Sequence, residues 1–579
     1  MLSTGGLSGC SDQRQGYTGD RSRIIANPLN LNYRFQDGAP AQTFMADERP
    51  CREAADPVLE YFKGKYYLFA SKSGGYWSSD DLVKWTYIPC NSLPVIDDYA
   101  PTIVVYHDSL YFMASGGLPR RIFRTDNPEE DRWEEIDTRF EYGGTDPAFF
   151  LDDDGRMYIY WGCSTTDPIV GVEVDPQNGF QALSKPDTLI HHHFEQYGWE
   201  MPDSGRKANK QGFNEGPSML KYEGKYYLQY ASPGTEFRIY SDGVYVSDRP
   251  LGPFTYVESN PFSIKPGGFI AGAGHGHTFK DKYGNYWHVA TMKISVRHMF
   301  ERRLGLFPVY MKEGNMYAQT VFTDYPFAVP DQKVDFAAED GWTGWNLLSY
   351  GKTVTASSAL EGYEPSRAND EQVETWWAAT TGEAGEWWQV DLGREMQVEA
   401  IQVNFADKDF VNTPQDSYVS YAYRIEGSDD GLSWRELVDR SDNQKDMPHE
   451  LIVLDTGVRT RYLRITNLRA MDGKFSLSGF RVFGDGLGNK ADRVRNLIAE
   501  RDPEDGRHLR VAWEACPEAT GYILRWGIAP DRLYSAMMVY TNQYESRIFN
   551  RDSEYYFRVD TFNENGVTPG TETIRVSVP

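Results

Sequence analysis

One phrase, a turn followed by an aromatic strand, recurs five times before Pro330: GKYYLFAS from Gly64, DSLYFMAS from Asp108, GRMYIYWG from Gly155, GKYYLQYAS from Gly224 and GNYWHVAT from Gly284. Each copy follows another short apolar strand (PVLEYF, PTIVVYH, PAFFLDD, PSMLKYE, HTFKDKY), so every unit begins as a β-hairpin. A hairpin extended by two further strands is a propeller blade, and radial repetition of blades hides sheet edges that would otherwise aggregate. Hardly any segment here has helical period. The expectation is all-β: a five-bladed β-propeller over 24–330.

A chain of 579 residues exceeds what one core supports, since single hydrophobic cores stop growing at roughly 250–300 residues. With 40% hydrophobic residues, 25% charged residues and a mean hydropathy of −0.58, it offers no apolar run able to span a bilayer. The net charge of −25 repels phosphate backbones and argues against a nucleic-acid partner. Aromatic residues reach 14%, enough to fill sheet cores and to offer some rings to a ligand.

The five cysteines, Cys10, Cys51, Cys90, Cys163 and Cys516, have no CxxC spacing and indicate neither a zinc site nor a dense disulfide scaffold. Cys51 and Cys90 are the one pair that could bridge. Leu7-Ser8-Gly9-Cys10 resembles a lipoprotein cleavage box, but only MLSTGG precedes it. A disordered leader over 1–23 explains this, and so does a start codon assigned inside a longer signal peptide. The second reading places the chain outside the cytoplasm, whether periplasmic, secreted or anchored at the cell surface.

The starts of the inner strands carry the candidate chemistry. Asp56 lies eight residues before Gly64, Asp146 nine before Gly155, Glu215 nine before Gly224 and His275 nine before Gly284. Inner strands line a propeller's axis, so these side chains should converge on one pocket. The second blade has Ala100 at this place, leaving room for substrate or water. Acidic residues ahead of strands are also ordinary turn formers, but three at one repeat position fit chance poorly.

Asp56 in AADPVLEYFKGKYYLFAS, Asp146 in TDPAFFLDDDGRMYIYWG, Glu215 in NEGPSMLKYEGKYYLQYA and SSDDLVKW at Ser78 to Trp85 together resemble glycoside hydrolase family 43, over roughly Asn27 to Pro330. The resemblance implies a propeller that inverts the anomeric centre, with Asp56 as general base, Glu215 as general acid and Asp146 orienting the acid and tuning its pKa. Inversion needs two carboxyl groups about 6.5–9.5 Å apart, so that a water fits between base and sugar. An ionised Asp146 would keep Glu215 protonated by like-charge repulsion.

His275 in GAGHGHTF matches a family histidine that faces a cation or water at the axis, which makes a structural or axial calcium ion the expected metal. A buried, hydrogen-bonded histidine is the alternative. No organic cofactor is required. Trp77 and Trp161 are candidate walls of the sugar subsite, with core packing as the competing reading. Arg303 in ERRLGLFPVY resembles a position whose guanidinium approaches the sugar. The run His191 to His193 lies in a long insertion before the fourth blade and reads as a solvated loop at the pocket rim.

A linker, 331–345, leads into 346–486, where NLLSYGKTVTASS, TWWAATTGEAGEWWQVDLG, YRIEGSDDGLSWREL and RYLRITN resemble the discoidin or factor 5/8 C-type domain. Such domains are eight-stranded β-sandwiches that often bind carbohydrate through loops at one end. Gly479 stands where the family usually has Glu, and Glu371 where Gly usually follows Asp370; both departures weaken any inherited calcium site. From 491 to 579, LRVAWEA, ATGYILRWG and YYFRVDTFNENG resemble a fibronectin type III module with Trp513 in its core and the role of a spacer.

The expected activity is exo-acting hydrolysis that releases terminal α-L-arabinofuranose from a plant polysaccharide or its oligosaccharides, by a monomer or weak oligomer. β-Xylosidase and β-galactofuranosidase are the related readings. A retaining fructosidase and a carbohydrate-binding propeller without turnover are the rivals.

Overall fold

The structure is a computed structural model and describes residues 17–36, 51–116, 118, 120–202, 211–297, 299–410, 420–470 and 472–578. Cys10 and its cleavage box lie outside the described residues. The fold is all-β, and the helical segments among the described residues are short 3₁₀ turns.

Five antiparallel sheets of four or five strands follow one another from Ala55 to Ala318. Their first strands, Ala55–Phe62, Thr102–Tyr106, Ala148–Leu151, Glu215–Tyr222 and Ala271–Lys280, touch in a closed cycle, the last against the first. These sheets are the blades of a propeller around one axis. The repeated turn has a backbone cause. Lys63-Gly64, Glu223-Gly224 and Glu313-Gly314 are all left-handed, the two-residue geometry whose twist matches that of the flanking strands.

Each blade is built from consecutive segments, the fifth included, while Ile24–Ile25 pairs antiparallel with Phe327–Ala328. Residues expected in a leader take part in this closure. Arg23 Nε donates to Val329 O at 2.7 Å, and Arg21 pairs with Glu399 at 2.9 Å. Cys51 and Cys90, the pair able to bridge, are both free and buried, and Cys90 Sγ donates to Asp131 at 3.0 Å.

The 331–345 segment is packed rather than extended. Phe336 and Trp345 are buried, and Trp342 stacks on Phe322 with ring centroids 4.1 Å apart. Beyond it lies an eight-stranded sandwich whose longest strands, Trp387–Phe405 and His449–Arg469, bend at register shifts and so serve both of its faces. Its two departures from the family pattern have physical reasons. Gly479 faces the propeller, where an added Cβ would stand 2.8 Å from Phe269. Glu371 keeps the left-handed conformation that glycine usually provides (φ 57°), and its carboxylate is held by the buried Arg481 at 2.8 Å.

The C-terminal segment forms a three-stranded and a five-stranded sheet around Trp513. It is not a spacer. Trp526, Met537 and Phe549 belong to one apolar cluster with Trp199, Tyr230 and Tyr245 of the propeller. The insertion before the fourth blade is pinned to it: Gly198 N–H donates to Phe549 O at 3.1 Å, and Arg507 Nη1 to Phe194 O at 2.7 Å.

Candidate active site

Every inner strand has one left-handed residue at an equivalent place, either within it or two residues before it: Asp56 (φ 51°), Ala100 (46°), Asp146 (58°), Gly216 (58°) and His275 (45°). Each lies six residues before the residue that closes its hairpin, namely Phe62, Tyr106, Asp152, Tyr222 and Asp281. The equivalent position in the fourth blade is therefore Gly216, and Glu215 stands one residue earlier. Counting from turn glycines misplaces it because the third and fifth hairpins have longer loops. Left-handed backbone costs a non-glycine residue on the order of 1 kcal/mol or more, and hydroxyls of the preceding blade help hold it. The N–H groups of Asp56, Ala100 and Asp146 donate to Thr291 Oγ1, Ser71 Oγ and Ser115 Oγ at 2.8, 2.7 and 2.9 Å.

The kinks turn the three carboxylates onto one imidazole. His275 Nδ1 lies 3.4 Å from Asp56 Oδ1 and 3.9 Å from Asp146 Oδ2, and Asp146, Glu215 and His275 offer donor atoms within 4.8 Å of one another. Asp56 and Asp146 are buried, whereas Glu215 is half-buried and the most open of the three. Asp56 accepts from Ser71 Oγ at 2.5 Å and from Arg302 Nη1 at 3.1 Å. Asp146 accepts from Gly216 N–H at 3.2 Å. Glu215 accepts from the Tyr240 hydroxyl on Oε1 and from Cys163 Sγ on Oε2 at 3.5 Å.

These surroundings drive the carboxylates apart. Burial pushes Asp56 up, but Arg302, His275 and the Ser71 hydroxyl outweigh it and hold the carboxyl below its ordinary value. Burial raises Asp146 to about 7, against His275 and with help from Glu215 and Asp56. Burial also raises Glu215, against His275 and the Tyr240 hydrogen bond. Asp146 and Glu215 therefore titrate as a pair. Asp146, expected as the ionised neighbour of the acid, is itself raised to about 7 by burial, and each carboxyl of this pair responds to the charge on the other.

Three expected site residues land differently. Trp77, 1% exposed, packs in the apolar core against Tyr33 and Tyr87. Trp161 is also buried, against Phe140 and Tyr142. Arg303 points away from the centre and donates from Nε to His449 Nε2 at 2.9 Å; strand alternation gives its neighbour Arg302 the inward face. His275 does reach the centre, but calcium takes six to eight mostly oxygen ligands. The cluster offers one imidazole and two carboxylates and so does not by itself make that shell. His191 and His192 direct ring nitrogens to Thr166 O and Thr165 O at 3.0 Å, so the two are tied to a loop of the third blade.

Sequence reasoning missed several residues at the centre. The half-buried rings of Tyr99 and Phe300 lie 5.5 Å apart, with the Arg302 guanidinium 4.9 Å from Phe300 and 6.0 Å from Tyr99. Tyr99 directly precedes Ala100, so its place beside the repeat position was a usable signal. Tyr240, Cys163 and Glu53, which pairs with Arg302 at 2.8 Å, carried none.

Comparison with known proteins matches residues 51–317 to the model of glycosyl hydrolases family 43 and residues 353–478 to the F5/8 type C domain. Over 257 residues the chain is 26% identical to β-D-galactofuranosidase xynD of Aspergillus niger, covering 38% of this chain and 68% of that one. Over 152 residues it is 31% identical to an arabinoxylan arabinofuranohydrolase of Paenibacillus polymyxa, covering 25% of this chain and 22% of that one. A solved structure described as a glycoside hydrolase aligns with a TM-score of 0.44 and 21% identity, over 74% of this chain and 97% of the other. Residues 51–317 are a glycosyl hydrolases family 43 domain, and residues 353–478 are an F5/8 type C domain.

Proposed function

We propose that the chain is an inverting exo-glycosidase that releases a terminal pentofuranosyl unit, α-L-arabinofuranose, from plant polysaccharide side chains or their oligosaccharides. The observation that carries this reading is the convergence of Asp56, Asp146 and Glu215 on His275, in surroundings that hold Asp56 below its ordinary carboxylate value and raise Asp146 and Glu215 above theirs, the division of labour that acid–base hydrolysis requires. Asp56 takes a proton from water as the water oxygen attacks the anomeric carbon. Glu215 gives its proton to the departing glycosidic oxygen as that bond breaks. Asp146 shares the acid's proton and keeps it in place. Tyr99 and Phe300 offer ring faces for the sugar, and Arg302 offers charge.

A calcium ion enters none of these steps. Burial lowers the pKa of His275, but Asp56, Asp146 and Glu215 outweigh it and raise the value, so the carboxylates favour a single positive charge on the ring. The similarity to a β-D-galactofuranosidase supports a second reading of the sugar, since the two furanosides present related hydroxyls. β-Xylosidase is the third. We further read the C-terminal sandwich as a fibronectin type III module and the whole chain as an extracytoplasmic enzyme. Among the described residues no helix is long and apolar enough to cross a membrane.

Release of 4-nitrophenol from the α-L-arabinofuranoside, β-D-galactofuranoside and β-D-xyloside separates the three sugars. Proton NMR of the first-formed product decides the stereochemistry, and retention at the first turnover would overturn the mechanism. If no glycoside is cleaved and Glu215→Ala binds glycans as the parent does, the propeller is a binding module instead.

A further inference from the structure

Two neighbouring strands carry residues of alternate duty. On one side Glu53 faces the reaction centre and pairs with Arg302 at 2.8 Å, while Arg52 faces the F5/8 type C domain. On the other, Arg302 faces Asp56 and Arg303 faces that same domain. The strands are tied together: Ala54 N–H donates to Arg302 O at 3.4 Å, and Arg303 Nη1 to Arg52 O at 2.8 Å. One face of this pair holds the candidate base, and the other is gripped by the sandwich.

The grip is buried and specific. Arg52, with a fully buried side chain, meets Asp407 through Nε at 2.8 Å and Asp446 through Nη1 at 2.7 Å. Asp407 in turn accepts from the Tyr421 hydroxyl at 2.8 Å. His449 accepts from Arg303 at Nε2, and its Nδ1 lies 2.9 Å from Asn404 Oδ1, so the neutral ring donates there. Burial first, then the charges of Arg303 and Arg52, keep that ring unprotonated. Removing one partner of a buried ion pair leaves a charge uncompensated, so such contacts fix geometry even where they add little net stability. A module tethered only to capture glycan needs no such contacts beneath the catalytic strands.

We propose that the F5/8 type C domain is a positioning element of the reaction centre: Asp407, Asp446 and His449 hold Arg52 and Arg303, and thereby keep Arg302 seated on Asp56. The proposal rests on the glycosidase reading above. Besides Arg302, the groups facing Asp56 are Ser71, His275, Glu53, Asp146, Glu215 and Tyr240, whose side chains, among the described residues, have their hydrogen bonds and ion pairs within the propeller. The sandwich therefore reaches Asp56 through Arg302.

The test uses the full chain and a soluble 4-nitrophenyl glycoside, which has no polysaccharide for a glycan-binding module to capture. Asp407→Asn keeps the residue's size and removes its charge; His449→Ala removes the acceptor under Arg303. Each is expected to lower kcat about tenfold, on the scale of small misplacements at a reacting centre, with KM within twofold. The acid limb of kcat/KM should move to higher pH as Asp56 loses part of Arg302's support. Asp407→Glu should recover part of both effects, and Asp429→Ala, in an exposed ion pair of the same domain, should change neither. If both variants fold with lowered Tm but keep the parental kcat and acid limb, the domain is a structural neighbour only and the proposal fails. If one does not fold, the other decides alone. If the parent cleaves no glycoside, the glycosidase reading has failed instead.

Discussion

Gly216 lies flat against the imidazole of His275: a Cβ built on it would stand 2.6 Å from ring atoms Cγ and Cδ2. The same residue is left-handed and donates its N–H to Asp146. One glycine thus seats the histidine, orients the neighbouring carboxyl and turns Glu215 toward the opening. Gly216→Ala would strain the backbone and push the ring off the axis. Activity on the preferred aryl glycoside is expected to fall on the order of 100-fold, the cost of an ångström-scale misplacement. Activity within twofold of the parent would show that the centre tolerates a shifted His275.

The opposed shifts of the carboxyls define a pH profile. Asp56 must be ionised, and its pKa is lowered, so the acid limb lies below the ordinary carboxylate range. The Asp146–Glu215 pair must keep a proton, and burial raises both, so the alkaline limb lies above the ordinary carboxylate range. Tyr240 stabilises ionised Glu215 by donating to Oε1. Tyr240→Phe removes that donor, raises the acid's pKa and moves the alkaline limb up while the acid limb stays. The profile of kcat/KM from pH 3 to 9 checks both limbs, and an unmoved alkaline limb would remove Tyr240 from the acid's environment.

The corrected aromatic assignment separates stability from binding. Trp77→Ala empties a core site and is expected to cost about 3–5 kcal/mol of stability with KM little changed. Tyr99→Ala takes away a half-buried ring beside Arg302 and should raise KM about three- to tenfold, as expected for about 0.5–1.5 kcal/mol of ring contact. Chemical denaturation and steady-state kinetics on both variants read the difference. A raised KM in a stable Trp77→Ala would return that ring to the sugar site.

What the sequence makes legible is whatever repeats. The five aromatic hairpins give the blades, and the acidic strand starts give Asp56 and Asp146 because identical hairpins carry equivalent residues to the same place. Glu215 is found by its motif but misplaced by one residue, because loop length is not part of the repeat. A single step along a strand reverses its face, so ERRLG does not say which arginine looks inward; a contact with His449, 146 residues away in sequence, decides it. Trp77 and Trp161 look like sugar walls only if exposure is assumed, and exposure is a tertiary property. The docking of both sandwiches onto the propeller rests on surfaces with no local pattern, which is why the C-terminal module reads as a spacer in sequence and as a brace in the structure.

That brace holds an unusual acid. Glu200, in the insertion pinned to the C-terminal sandwich, is fully buried and accepts from the Tyr230 hydroxyl and the His193 N–H. Burial, against those two hydrogen bonds, raises its pKa to about 8. A folded pKa above the unfolded value contributes stability that is complete below about pH 4 and is lost as pH rises through the folded pKa. In the native state the side chain is thus a neutral acid at pH 6 and is forced to ionise above about 8. Between pH 6 and pH 8 this one group should remove about 2 kcal/mol. Glu200→Gln keeps the shape, accepts from His193 through its carbonyl and donates to the Tyr230 oxygen, yet cannot ionise. The variant is expected to match the parent near pH 4 and to exceed it at pH 8, and urea denaturation at both values measures the gap. Equal pH dependence in the two proteins would mean that Glu200 ionises in the folded state at no cost, and that its burial is relieved by groups other than Tyr230 and His193.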